Sequence, residues 1–292
     1  MVDKVNEIVD VADKSANFLE KILDNIPSFR AHKLLMKEIE NNLDMSPAEK
    51  AAFLYALGPL KKSIRNLAST YELADFMLNT KKVAGIETSL SQINDEWLGM
   101  YNDIVKNISD ENMKLIWAKI LASKCEDSNS VGKRLLSILQ IIDNQTAEAF
   151  SYLCSHTFMQ YDKYDKEEKA KPIFLYHIGS VGDSSDGLFP SYSYDKTFLN
   201  AHNITELDSI GLIRYENFTE FSLNAKEIEL DYFGSKLSIK SEGSVSIGCI
   251  IYTSCGEQLI NALYDKNADK DMNFFNHISE YYKRSHYIVN TY

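Results

Sequence analysis

Two pairs of side chains stand at spacings that put a histidine and a carboxylate on one face of a helix. His202 and Glu206 are four residues apart, and His277 and Glu280 three apart. Each pair would offer two ligands to a metal, whereas a zinc centre takes three or four, and the dense His-Glu-x-x-His pattern is missing. Solvated polar pairs on helix surfaces are the expected reading. Asp183 and Asp186, in a serine-rich stretch, carry the oxygen chemistry of a calcium ligand, but the terminal glutamate of an EF-hand loop is absent, so a solvated turn is expected. Ser246 lies in "GSVSIGC" with Ser244 two residues before it, which fails the Gly-x-Ser-x-Gly pattern of a nucleophile elbow. Gly179-Ser180-Val181-Gly182 is too short for a dinucleotide fingerprint, and no Gly-x-x-x-x-Gly-Lys-[Ser/Thr] loop occurs. The four cysteines, Cys125, Cys154, Cys249 and Cys255, form no Cys-x-x-Cys pair and read as reduced thiols of a cytoplasmic protein. No catalytic, cofactor-binding or metal-ligating residue is therefore assigned.

Charge narrows the partners. The chain carries a net charge of −11. Residues 1–143 hold 21 acids against 18 bases, and residues 144–292 hold 21 against 13. Duplex nucleic acids and anionic membrane surfaces both favour a basic face, so neither is the expected partner. No apolar run approaches the roughly 18 residues of a membrane span, and "MVDKVNEIVDVADK" mixes acids into its apolar positions, unlike a signal peptide. A cytoplasmic location is the expectation.

Elements that would hold any site differ between the two halves. In residues 2–26, Val5, Ile8, Val9, Ala12, Ala16, Leu19, Leu23 and Ile26 recur at helical spacing. This predicts an amphipathic helix ending near Pro27, packed on its own core or on a partner. A second helix is predicted over 29–42, and a third opens at Ser46-Pro47-Ala48-Glu49 with a capping box. Gly58-Pro59 predicts a kink or break before helical spacing resumes through Leu60, Ile64, Leu67, Leu73 and Leu78. Ser109, with Asp110 and Glu111 behind it, predicts a capped helix start. Met113, Ile116, Trp117, Ile120 and Leu121 then share one face up to a polar loop near Glu126. An apolar helix to Ile142 follows, and Asp143 or Asn144 caps another through Phe158. A helical hairpin is expected from the first two.

Beyond residue 159 glycine becomes common, and fourteen of the seventeen tyrosines lie past residue 143. "KPIFLYHI", "SKLSIK" and "SVSIGCIIYT" read as strands, "SCGEQLINALYD" and residues 272–284 as helices. The Tyr- and Phe-rich stretch "FFNHISEYYKRSHYIVNTY" predicts core packing together with an exposed, contact-prone tail. Leu207, Gly211, Leu212, Ile213, Thr253, Gly256 and Leu259 fall as in winged-helix modules, where a short helix ends at Gly-Leu-Ile and a hairpin leads into Thr-x-x-Gly-x-x-Leu.

Trp117-Ala118-Lys119-Ile120-Leu121-Ala122, its acidic cap and the following "SVGKRLLSILQIIDNQTAEAF" together resemble a set of uncharacterised bacterial proteins. The same core is similar to the Abi-alpha family, putative components of phage abortive-infection systems. The likeness covers residues 96–158, and Ser123-Lys124-Cys125 departs from the Gly-Glu-aliphatic pattern of such relatives. The resemblance implies no catalytic residues. The expected fold is α+β, mainly α: a helical domain over 1–143 and a winged-helix-like α+β domain over 144–292. The expected role is a non-enzymatic interaction protein of anti-phage defence, with Met113, Ile116, Trp117, Ile120 and Leu121 as structural or contact residues. Its expected partner is a protein or a second copy, with a phage or host component as the other candidate. A winged-helix regulator binding nucleic acid, and an enzyme with an unrecognised C-terminal site, are the alternatives.

Overall fold

A computed structural model describes residues 37, 46, 58–83, 93–161, 170–175, 199–216, 218–265, 268–285 and 287–292. The helices predicted over 2–26 and 29–42, the capping box at 46–49, Gly179–Gly182, Asp183 and Asp186 lie outside the described residues or nearly so. The chain divides into two compact units, Met1–Ser130 and Val131–Tyr292. Its fold is α+β with helix predominating.

In the first unit, α1 (Gly58–Val83), α2 (Asp95–Val105) and α3 (Glu111–Glu126) pack together. Pro59 sits in the first turn of α1, where its missing N–H costs nothing. The helix then runs unbroken to Val83. Leu67, Tyr71, Ala74 and Leu78 recur at three- and four-residue steps and are all buried. Asn94 caps α2, its side chain accepting from the amides of Glu96 and Trp97. Asp110, and not Ser109, is the N-cap of α3: its Oδ1 accepts from Met113 N at 2.9 Å. A carboxylate at the positive end of a helix gains from the dipole as well as the hydrogen bond, which favours Asp110 over the neighbouring hydroxyl. Asn66 fastens α1 to the end of α2 by donating from Nδ2 to Lys106 O at 3.1 Å.

The second unit begins with α4 (Lys133–Ile141) and α5 (Asn144–Ser155), followed by β1 (Thr157–Tyr161) and β2 (Ala170–Phe174). The first helix lies on the N-terminal side of a boundary at 143, but it belongs to this unit. Gly132 N just before it donates to Gln258 Oε1 at 2.9 Å. Asp143 caps α5 through Thr146 N at 2.7 Å. That helix stops at Ser155 instead of continuing through Phe158, which is in β1. Thr157 and Phe158 favour the strand they enter, where Phe158 finds an aromatic core.

Next come α6 (Ala201–Ser209), β3 (Ile213–Tyr215), β4 (Phe221–Leu223) and β5 (Glu227–Tyr232). They are followed by β6 (Ser235–Lys240), β7 (Val245–Gly248), β8 (Ile250–Tyr252), α7 (Ser254–Leu263), α8 (Met272–Arg284) and β9 (Ile288–Thr291). The six strands from β3 to β8 fold back as one nested antiparallel hairpin. Ile213 pairs with Tyr252, Leu223 with Val245, and Tyr232 with Ser235 across the tip. Both tip residues, Phe233 and Gly234, have positive φ (47° and 87°), as a two-residue turn between twisted strands requires. Phenylalanine is an unusual occupant of that conformation. Its ring stacks on Tyr264 at 5.0 Å, and Asp231 Oδ1 accepts from Gly234 N at 2.9 Å.

The tip strands join a five-stranded antiparallel sheet in the order β2-β1-β5-β6-β9. Phe274, Phe275, Ile278 and Tyr282 of α8 are buried, and Phe158 and Tyr232 meet Phe274 at 5.8 and 5.5 Å between ring centroids. Each such ring contributes on the order of 2–3 kcal/mol by leaving water.

Candidate functional site

The Trp-bearing helix organises an aromatic core in the first unit. Trp117, Ile120 and Leu121 are fully buried, whereas Met113 and Ile116 on the same face are half-buried. Tyr101 of α2 meets Trp117 edge-on at 5.6 Å and donates its hydroxyl to Trp117 O at 2.9 Å. Trp97 stacks on Tyr101 at 5.3 Å, and Tyr71 of α1 meets it edge-on at 6.1 Å. Lys124 adds a cation 5.2 Å from the centre of the Trp97 ring, and its ammonium donates to Ser128 O. Burial lowers the Lys124 pKa and pushes those of Tyr71 and Tyr101 up, so both phenols stay neutral. The indole N–H groups of Trp97 and Trp117 are buried with no acceptor among the described residues. All this is core construction.

In the second unit the residues singled out by the winged-helix spacing come together. Thr253 caps α7 and donates its hydroxyl to Gly211 O at 2.5 Å, while its N–H donates to Leu212 O at 3.1 Å. Gly211, at φ 81°, makes the turn that only glycine adopts without strain. Leu207, Leu212, Ile213 and Leu259 are buried around it.

His156, 5 % exposed, ends α5. Its Nδ1 lies 2.9 Å from Tyr152 O, and its Nε2 is 4.0 Å from a carboxylate oxygen of Asp271, the N-cap of α8. Ser155 Oγ lies 2.9 Å from the same Nδ1, and its hydroxyl also reaches Tyr152 O at 2.8 Å. A catalytic triad needs the serine and the carboxylate on opposite ring nitrogens, with the serine proton given to the ring. Here serine and carboxylate do lie on opposite ring nitrogens, but Ser155 Oγ and Nδ1 share one helix carbonyl, the carboxylate at 4.0 Å is beyond hydrogen-bond distance and the ring is buried, so the trio joins the end of one helix to the start of another.

Burial lowers the His156 pKa against the opposing pull of the Tyr152 carbonyl and Asp271. The unfolded chain therefore takes up this proton near pH 6.5, and the folded chain only below that. The contribution to stability is complete above about pH 6.5 and lost as pH falls toward the folded value. Thermal melting between pH 7.5 and 5 is expected to show a decline that His156→Gln flattens. Parallel curves for the two proteins would contradict it.

The metal-ligand spacings do not mature into sites. His202 is exposed on α6, and Asp143, whose carboxyl is lowered chiefly by its bond to Thr146, also feels it. Glu280 on α8 accepts from Lys283 at 2.8 Å. Among the described residues no three His, Cys, Asp or Glu side chains gather as a metal would require. Cys125, Cys249 and Cys255 are buried, and burial pushes the Cys249 thiol up to about 12 and raises Cys255 too. Such thiols are protonated and poor nucleophiles.

Ser246 reappears in a different constellation. Its hydroxyl donates to Glu220 Oε2 at 2.6 Å, its carbonyl accepts from the Tyr282 hydroxyl at 2.5 Å, and its N–H points at the Tyr287 hydroxyl at 3.4 Å. Tyr281 and Tyr287 stand nearly perpendicular to Tyr282, at 5.5 and 5.3 Å between centroids. Burial, with the Glu220 carboxylate added, raises Tyr281 to about 12. Sequence spacing gave no warning of Glu220, which lies over sixty residues from these tyrosines; only "EYY" and the following tyrosine marked the place.

Beside this cluster begins β9, at the end of the sheet. Tyr292 and Lys236 exchange backbone hydrogen bonds at 2.9 and 3.2 Å. Alternation along the ladder then turns the N–H and C=O of Val289 and Thr291 outward. No described strand pairs with that side.

No helix among the described residues is long and apolar enough to cross a membrane. No curated protein and no solved structure matches the chain. A family described as "Protein of unknown function (DUF2806)" matches residues 62–279, which takes in most of α1, all of α2–α7 and most of α8. Three quarters of the sequence, including both the Trp-centred core and the nested hairpin, is thus shared with a family, and the chain belongs to DUF2806.

Proposed function

We propose that this protein acts by association, offering β9 as a pairing edge to an extended segment of a protein partner, and that it does so in bacterial defence against phage. One observation carries the association: among the described residues no strand pairs with the outer row of β9, and residues 287–292, Tyr-Ile-Val-Asn-Thr-Tyr, hold no charged side chain and no proline. Soluble proteins usually guard a sheet edge with lysine, proline or a bulge. Ile288 and Tyr292 are 66 % and 67 % exposed here, adding apolar contact to an unguarded ladder. Strand addition of this type draws affinity from main-chain hydrogen bonds and specificity from flanking side chains. The defence role rests on the likeness of residues 96–158 to the Abi-alpha family. Buried thiols and neutral buried phenols favour a binding role over catalysis.

The helix, Gly211 turn and Thr253-capped α7 favour a winged-helix relationship for part of the second unit. A wing that reads a nucleic acid groove has to project, however. Here β5 and β6, which would form its tip, are flanked by β1 and β9. That packing, with the acidic charge, favours a protein partner.

Val289→Pro tests the reading, because proline at an outward-facing N–H breaks no existing bond yet blocks a further strand. Cells expressing the parent are expected to give fewer phage plaques than empty-vector cells, and the variant, equal in thermal melting, to restore the empty-vector count. Full protection by the variant, or none by the parent, would overturn the reading.

A further inference from the structure

Helix α1 has two sides. Leu67, Tyr71, Ala74 and Leu78 are buried, while Lys61, Lys62, Arg65, Glu72, Phe76 and Thr80 follow one another at helical steps along the exposed side. We infer that this exposed side is the docking surface for residues 2–26 of the same chain, laid antiparallel along α1 as an amphipathic helix.

Two features of the surface call for such an occupant. Phe76 is 73 % exposed, with half-buried Leu73 and Met77 beside it. Lys61, Lys62 and Arg65 form a run of cations in a chain of net charge −11, and none of them has a hydrogen-bond or ion-pair partner among the described residues. The first turn of α1 contains no acid, so Lys61 and Lys62 stand near the positive end of the helix dipole without compensation. An acidic segment with an apolar stripe relieves both defects.

Residues 2–26 have that character. Their apolar stripe runs from Val5 to Ile26, and six acids stand against three lysines. As a helix, 25 residues extend about 38 Å and the 26 residues of α1 about 39 Å. When Glu20 is set beside Arg65 in the antiparallel sense, Asp24 falls beside Lys61 and Val9 beside Phe76, because both helices advance by the same rise. Glu72 then falls beside Asp13 and Lys14, whose charges cancel. Glu20 and Asp24 border the apolar stripe, so the same face makes both kinds of contact. In the parallel sense Asp3 and Glu7 would meet the cations, but they lie across the helix from the stripe and would turn it to water. The antiparallel sense also brings the negative end of the segment's dipole to Lys61 and Lys62.

The tether selects the chain's own segment. Residues 27–57 join it to α1, so a contact of low intrinsic affinity is enough. A second copy would bring −11 against −11. An anionic lipid surface favours a basic helix, and this one is acidic.

The test is hydrogen exchange and zero-length carbodiimide cross-linking of the full chain, the second on a mixture of isotopically light and heavy chains. Amides of residues 5–26 are expected to exchange at least about tenfold more slowly than in a free peptide of that sequence. Asp24 or Glu20 is expected to cross-link to Lys61 or Lys62 within one chain. Phe76→Glu, and separately Lys61→Glu with Arg65→Glu, should remove the protection while α3 amides keep theirs. Adding Glu20→Lys and Asp24→Lys to the second pair should restore it, which general destabilisation would not do.

Exchange of residues 5–26 as fast as in the peptide overturns the inference. Protection that survives both Phe76→Glu and the charge reversals overturns it too, since the segment would then pack elsewhere. Cross-links confined to Asp3 or Glu7 overturn the antiparallel docking. Cross-links that join light to heavy chains make a second copy the occupant and overturn it as well. Edge pairing at β9 is independent of all four results.

Discussion

Trp117→Ala is expected to destabilise the first unit by about 3–5 kcal/mol. The bond from the Tyr101 hydroxyl goes to the Trp117 backbone carbonyl, which alanine retains, and the indole N–H has no acceptor among the described residues. No side-chain hydrogen bond is lost, so the cost is transfer of the ring plus the cavity left beneath Tyr101. Trp117→Phe should cost less, because most of the volume stays. Thermal melting followed by circular dichroism checks both. Unchanged melting of the alanine variant would contradict the buried placement.

Gly256→Ala is expected to cost about 3 kcal/mol or more, against the usual direction for a helix. In an exposed helix interior this change gains up to about 1 kcal/mol. At position 256 a Cβ would overlap the Leu212 carbonyl oxygen and stand 3.0 Å from Leu212 C and 3.3 Å from Tyr252 Cδ1. The Leu212 carbonyl is held by the Thr253 N–H and cannot rotate away. Helix α7 has to lift from the β3–β8 pair to make room. Denaturant unfolding of the variant measures this, and a neutral or stabilising result would refute the close approach.

The helical framework was legible because its signals are local. Apolar residues at three- and four-residue steps announced α3, α7 and α8, and Met272–Arg284 agrees with the predicted 272–284. The cap of α3 slipped by one residue because Ser109 and Asp110 are both good caps, and only the dipole separates them. The expected helix overruns into Thr157 and Phe158, the first two residues of β1, because "AFSYLCSHTF" has no breaker; what ends α5 is the tertiary pocket that takes Phe158. Strand β5, "EIELDY", shows clear alternation, with Ile228 and Leu230 buried and Glu227 and Glu229 on the other face, but its acids mask it. Strand β9 hides in sequence within an aromatic tail, although Ile288-Val289 are β-branched neighbours of the kind strands favour.

Strand order was out of reach altogether. Pairing β1 with β5 joins residues about seventy apart, and no local pattern encodes such a choice. The cluster around Ser246 shares this fate. Tyr281, Tyr282 and Tyr287 are conspicuous in sequence, but the carboxylate that gives them a polarity comes from the far arm of the hairpin. Met113, Ile116, Trp117, Ile120 and Leu121 were found as a face, and three of the five are fully buried. Their kinship signal is a packing signal, which is why it accompanies no chemistry.

Hydrogen exchange at β9 tests association most directly. Val289 and Thr291 carry the outward amides, so in the isolated protein they should exchange quickly while Ile288 and Asn290, bonded to β6, exchange slowly. In protein recovered with its partner from phage-infected cells, the Val289 and Thr291 amides are predicted to become protected. If they exchange as fast in that complex as in the isolated chain, β9 is not the surface through which this protein acts.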